Sequence, residues 1–176
     1  MGIGYQGLQL ALLAKRRDAD FSRTIMLGRQ HHFLHPELMR RMFARFDQPL
    51  SKEQAELALR DKFAEGLFRQ LGAERVDSMD ASAYEGASII HDLNRPIADA
   101  LTCKYTCVCD FGTLEHVFNF PVGLKNATDL LAPGGTLVTA TVANNFLGHG
   151  FYQFSPELFF RYLPANGFTD VEAYLV

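Results

Sequence analysis

Eleven residues from Asp110 to Phe120, DFGTLEHVFNF, place two carboxylates, a glycine and a histidine within seven positions, directly after the apolar run Tyr105–Cys109. A carboxylate can accept several hydrogen bonds at once, a glycine lets the backbone approach a ligand, and histidine is the commonest general base near neutral pH. Glu115 and His116 share the start of a predicted helix, where exposed amides and the dipole favour a carboxylate. Capping alone accounts for Glu115, whereas His116 is a candidate for facing a site. A second polar cluster precedes Pro156: Asn144, Asn145, His149, Tyr152 and Gln153, interspersed with Gly148 and Gly150. Such a loop suits a substrate lid or an ordered connector equally well. If a reaction here requires a base, His116 or His149 would serve, with Asp110 behind them.

Other chemistry-bearing residues give weaker signals. His31, His32 and His35 lie close together, but Pro36 opens a helix after them and no nearby carboxylate completes a ligand triad, so they are expected to be polar loop histidines. His91 is expected inside a strand as a satisfied histidine. Cys107 and Cys109 would share one face of a strand, yet no second Cys/His pair stands at zinc spacing, and buried cysteine behaves as a small hydrophobe. No metal site is expected. Ser155-Pro-Glu157 fits an N-cap, a first-turn proline and a dipole-matched acid.

The elements that must position these groups follow from periodicity. Tyr5, Leu8, Leu12 and Leu13 predict an amphipathic helix over residues 5–17 that covers one edge of the domain. Thr24–Leu27 predicts a buried strand stopped by Gly28, and Pro36 a helix to about Phe46. Ser51-Lys-Glu-Gln54 has capping-box form, and Leu59, Phe63, Leu67 and Leu71 form an i+4 ladder that predicts one long helix ending at Gly72. Further strands are predicted at Val76–Met79, Ser88–His91, Tyr105–Cys109, Thr136–Val142 and Phe168–Val176, separated by helical segments at Pro96–Leu101, Pro121–Leu131 and Pro156–Leu163. Strands alternating with helices imply an α/β fold with a mainly parallel sheet covered on both faces. In such sheets ligands bind outside the carboxyl ends of the strands, where strand order reverses. Three of the five predicted ends begin with aspartate: Asp80, Asp92 and Asp110.

Composition bounds the function classes. The chain has 176 residues, 48% of them hydrophobic, enough for one ordinary core. Its formal net charge is -3 and its basic residues are scattered, so nucleic acid is not an expected partner. No apolar stretch approaches the length of a membrane span, and no cleavable signal pattern opens the chain, which suggests a cytoplasmic protein with no membrane partner. The odd cysteine count, three, fits a reducing compartment.

LEHV at Leu114–Val117 after a strand, followed by a helix running into LLAPGGTL at Leu130–Leu137 and another strand, resembles the class I S-adenosylmethionine-dependent methyltransferases. NNFLGHGFYQFSPELFF, from Asn144 to Phe160, resembles the loop and helix after the fifth strand in a bacterial, methyltransferase type 11-like subgroup. The resemblance covers roughly residue 24 onward. It implies a Rossmann-like domain over 24–176, with a helical insertion at about 36–72 and a covering helix in 1–23. It further implies that Asp80 binds the cofactor's ribose, Asp92 lies beside the adenine amino group with Leu93 packing on the ring, Asp110 lies near the amino-acid end, and Gly28 belongs to the first loop. The chain departs from the family in Leu27-Gly28-Arg29-Gln30, which lacks the usual spaced glycines, and in ending at the sixth strand. The missing seventh strand leaves a sheet edge for a second copy or another chain to cover.

The activity this implies is methyl transfer from S-adenosylmethionine to a small-molecule oxygen or nitrogen nucleophile. Because a sulfonium methyl is already electrophilic, alignment and exclusion of water do most of the work. A non-catalytic member of the same fold, retained as an assembly module, is the alternative. Nicotinamide-dependent oxidoreduction would require a G-x-G-x-x-G turn at the strand Thr24–Leu27, and none stands there.

Overall fold

The computed structural model describes residues 2–175. Its centre is a five-stranded, wholly parallel sheet built from β2 (Arg23–Leu27), β4 (Arg75–Asp80), β5 (Ile89–Ile90), β6 (Tyr105–Phe111) and β7 (Leu131–Ala140), in the order β5-β4-β2-β6-β7. This is a Rossmann-like α/β arrangement. The chain starts in the middle of the sheet, builds outward to β5, then returns to the other side of β2 with β6. Strand order therefore reverses between β2 and β6. Two short strands, β1 (Gly2–Ile3) and β3 (His31–His32), form a separate parallel pair.

Alternation along the strands sends side chains to two layers. Met26, Cys107, Cys109, Phe111 and Val138 face α1 (Tyr5–Arg16), α2 (Pro36–Arg45), α3 (Lys52–Ala58) and α4 (Glu65–Gln70), which contribute Leu8, Leu12, Met39, Phe43, Ala58, Leu67 and Phe68 to one core. Ile25, Leu27, Met79 and Val108 face the opposite layer, where α5 (Phe120–Asp129) supplies Leu124 and Ala127 and α6 (Pro156–Ala165) adds Leu158, Phe159 and Tyr162. Cys107 and Cys109 do share a face, with sulfurs 3.6 Å apart, and burial pushes the Cys109 thiol up. They are core residues. No helix among the described residues is long and apolar enough to cross a membrane.

Local chemistry accounts for most boundaries. His35 caps α2 ahead of Pro36, and both reciprocal bonds of the Ser51/Gln54 capping box are present. The predicted long helix is instead two. Phe63, Leu67 and Leu71 of its i+4 ladder are buried and Leu59 is half-buried, but residues 62–64 leave helical bonding to pair with the chain after β2: His32 N–H donates to Lys62 O and Ala64 N–H to Gln30 O. α4 then turns back so tightly that a Cβ on Gly66 would lie 2.1 Å from Ala58 O. The ladder marks burial, and long-range backbone bonding decides continuity.

Three other boundaries differ from expectation. Residues 96–101 hold only a 3-10 turn at Asp99–Leu101, because Asn126 of α5 fastens the preceding loop: its Nδ2 donates to Leu93 O and Arg95 O, and its Oδ1 accepts from Ile97 N–H. β7 begins at Leu131 and carries the Pro-Gly-Gly segment as a bulge opposite Tyr105–Cys107. The described part of residues 168–176 pairs with no strand, and Glu172 meets Arg17 in an ion pair. β7 is thus one sheet edge among the described residues, and β5 is the other.

Candidate functional site

Register aligns the carboxyl ends of the central strands. Leu27 is paired with Met79 on one side and with Asp110 on the other, so Gly28, Asp80 and Phe111–Gly112 follow side by side. Gly28 and Gly112 have φ of 69° and 91°, a region that glycine enters without steric cost. At the crossover between β2 and β6 the floor is polar. Thr113 Oγ1 donates to Leu27 O at 2.6 Å, as does Gln30 Nε2, which also lies 3.1 Å from Thr113 Oγ1. Gln30 is fully buried, and its Oε1 has no hydrogen-bond partner among the described residues.

Arg29 follows Gly28 but is committed elsewhere. Its Nε bonds Glu65 at the start of α4 at 2.7 Å, its Nη1 bonds Glu85 O at 2.7 Å, and its guanidinium stacks 3.8 Å from the Phe63 ring centroid. The side chain ties the helical segment to the loop after β4. Asp80 is half-buried at the end of β4, where Oδ1 accepts Ser82 N–H at 3.2 Å. Asp92 folds back on its own turn, accepting from both the backbone and the side chain of Asn94, which hold its carboxyl below the usual range. Leu93 is 6% exposed and packs into the second core, so its side chain presents no open face to a ring.

Asp110 is fully buried under the turn that follows it. Oδ1 accepts Thr113 N–H at 2.8 Å and Leu114 N–H at 3.4 Å, while Oδ2 accepts Thr139 Oγ1 at 2.9 Å. Loss of water pushes its carboxyl up to about 7, against the lowering pull of the Thr113 amide and with a smaller upward push from the charge of Glu115. Its role in this fold is to hold the 3-10 turn Leu114–His116 on the end of β6.

That turn brings an acid and two histidines together. Glu115 is 2% exposed, its Oε2 accepts Thr141 Oγ1 at 3.1 Å, and its Oε1 lies 3.6 Å from His149 Nε2. His116 and His149, thirty-three positions apart in the chain, meet with ring centroids 4.8 Å apart at 72°. The carboxylate behind the two histidines is therefore Glu115. The loop bearing His149 is pinned by Phe151 N–H and Tyr152 N–H, which both donate to Glu115 O, and Gly150 passes so close that a Cβ would lie 2.9 Å from that oxygen.

Beside Glu115 a cleft of about 230 Å³ is lined by Gly2, Gly4, Gln6, Gly7, Gly112 and Thr141, among others. Nothing in the hydrophobic periodicity singles out this end of α1. The signal that finds it is Gly2-Ile-Gly-Tyr-Gln-Gly7, a G-x-G-x-x-G spacing that leaves a short strand and opens a helix. Gly4 caps α1 without a side-chain bond, and a Cβ on Gly7 would press on Phe111 and Ile3 at 3.1–3.2 Å. The motif belongs to β1, outside the main sheet, so it is not the fingerprint turn of the central strand.

The remaining sequence candidates are dispersed. His31 Nε2 lies 3.3 Å from Glu85 Oε1, His32 Nε2 lies 2.6 Å from Asp61 O, and His35 caps α2. His91, just past β5, has Nε2 2.9 Å from Arg95 O. Comparison with family models, with curated proteins and with solved structures finds no match to this chain.

Proposed function

We propose that the chain is an S-adenosylmethionine-dependent methyltransferase acting on a small molecule through a hydroxyl or amine. The observation that carries this reading is the convergence of Gly28, Asp80 and Gly112 along the carboxyl ends of β2, β4 and β6, with a cleft beside Gly112 that is lined by Glu115, whose carboxylate lies near His116 and His149. The residues present fit the cofactor in two respects. Asp80 offers a carboxylate oxygen for ribose hydroxyls, and the glycines keep side chains off the approach.

When bound, the cofactor supplies an electrophilic methyl group on a sulfonium. The chain's own part is to align the acceptor, keep water out and receive a proton where the acceptor must lose one. The His116/His149 pair receives it. His149 Nε2 lies 3.6 Å from Glu115 Oε1, which stands beside the pair as the neighbouring carboxylate. The loop over residues 144–153, pinned to Glu115 O, supplies the cover.

A second reading, a non-catalytic module of the same fold, is favoured by one feature: Gln30 and Thr113 fill the crossover floor that a cofactor would approach. Isothermal titration with S-adenosylmethionine and S-adenosylhomocysteine, with NAD as control, separates the two. Binding of the first two alone, weakened about tenfold or more by Asp80→Ala, is expected from loss of a charge-assisted bond. A folded chain that binds neither, or an Asp80→Ala variant with unchanged affinity, would sink the methyl-transfer reading.

A further inference from the structure

We propose that Glu115, His116 and His149 form a binding site for one divalent first-row transition-metal ion. Each offers a ligand atom, and these atoms lie within 4.8 Å of one another. Two imidazoles and one carboxylate on adjoining vertices are the donor set that holds such ions while leaving positions open for water or substrate oxygens. Metal–nitrogen and metal–oxygen bonds of about 2.1 Å require neighbouring donor atoms to stand roughly 3 Å apart. The site closes to that spacing by rotation of the two exposed imidazoles over a fixed carboxylate.

The surroundings are built for that fixed carboxylate. Glu115 is 2% exposed, yet among the described residues it has no Lys or Arg within ion-pair distance; its nearest basic group is His149 Nε2, at 3.6 Å. A buried carboxylate so placed is costly unless a cation completes it. Thr141 Oγ1 donates to Oε2, which orients the carboxylate and leaves Oε1 directed at the histidines, the role of an outer partner in metal centres. The loop carrying His149 is held over Glu115 by two backbone hydrogen bonds to its carbonyl, and Gly150, at φ 69°, is what lets it come so near. Glu115 also lines the neighbouring cleft, so its side of the site can be approached from there.

The proposal stands on these residues alone and does not require that the chain transfer methyl groups. If it does transfer them, the ion replaces the histidine pair as the group that promotes loss of the acceptor's proton.

The test is titration of the tag-free folded chain with Co2+, followed through its visible ligand-field bands. One ion per chain is expected, displaced by Zn2+ and not by Mg2+. His116→Ala and His149→Ala, both at exposed positions, should each weaken binding about tenfold or more, and Thr141→Val about tenfold, while His91→Ala leaves it unchanged. Glu115→Gln should abolish the bands, but because that side chain is buried the two histidine variants decide the matter. No cobalt bands with a chain shown to be folded, or an unaltered titration in His149→Ala, would overturn the assignment.

Discussion

Asp110 offers the sharpest test of how burial governs this site. The perturbation is Asp110→Asn, which preserves shape. The amide oxygen can still accept Thr113 N–H and Leu114 N–H, while the amide nitrogen replaces Oδ2 and donates to Thr139 Oγ1. In the wild type, burial raises the carboxyl from 3.8 to about 7. Below about pH 4 both folded and unfolded chains hold the proton, and the group contributes no pH dependence. Between about pH 4 and pH 7 the unfolded chain releases it while the native chain keeps it, so stability falls as pH rises. Above pH 7 both are ionised and the loss is complete. A gap from 3.8 to about 7 corresponds to about 4 kcal/mol. The variant has no such titration, so its stability relative to wild type should climb by about 4 kcal/mol between pH 4 and pH 8. Urea unfolding of both chains at pH steps across that range reads this directly. A difference that stays flat would show that the three donors cancel the cost of burial. One that falls with pH would show that they exceed it, and either result refutes the reasoning.

Two packing predictions accompany this one. Gly66→Ala places a Cβ 2.1 Å from Ala58 O, which the backbone must move to admit, so a loss of about 2–3 kcal/mol is expected in chemical denaturation; an unchanged midpoint would mean that α3 and α4 separate freely. Tyr105→Phe removes the buried bond from the Tyr105 hydroxyl to Asp77 Oδ2 at 2.8 Å, leaving Asp77 with Arg75 at 2.8 Å. About 1–2 kcal/mol should be lost, and a neutral or stabilised variant would show that the Arg75 pair alone satisfies the carboxylate.

Asp110 and Glu115 also show where the sequence was legible and where it was not. An aspartate after an apolar run marks a strand end, and Asp110 lies one residue before the end of β6, in register with Leu27 of β2 and Thr139 of β7. Its immersion under the following turn is not written in the spacing. Glu115 looks like a dipole-matched acid at a helix start, yet a three-residue 3-10 turn turns its side chain inward to Thr141 of the strand-end loop. Leu93 follows a strand-end aspartate, and the grip of Asn126 on the surrounding loop buries it. In each case the residue type was visible and its direction was set by a partner far along the chain.

Local chemistry by itself determined the alternation of strands and helices, and with it the parallel sheet, because hydrophobic period, capping residues and prolines act within a few positions. It placed β2, β4 and β6, the starts of α2, α3 and α6, and Asp80 at the end of β4 with Asp110 one residue short of the end of β6, whereas Asp92 lies two residues past the shorter β5. The tertiary structure decided what those positions can do. Backbone bonds from the chain after β2 broke the long helical ladder, a bulge absorbed the Pro-Gly-Gly segment into β7, and the segment over residues 168–175 found no strand to join. It also brought His149 to His116 and Glu115, and the G-x-G-x-x-G end of α1 to a cleft beside Glu115. Contacts across such sequence separations depend on how layers close over the sheet, a property of the whole packed chain that no local period encodes.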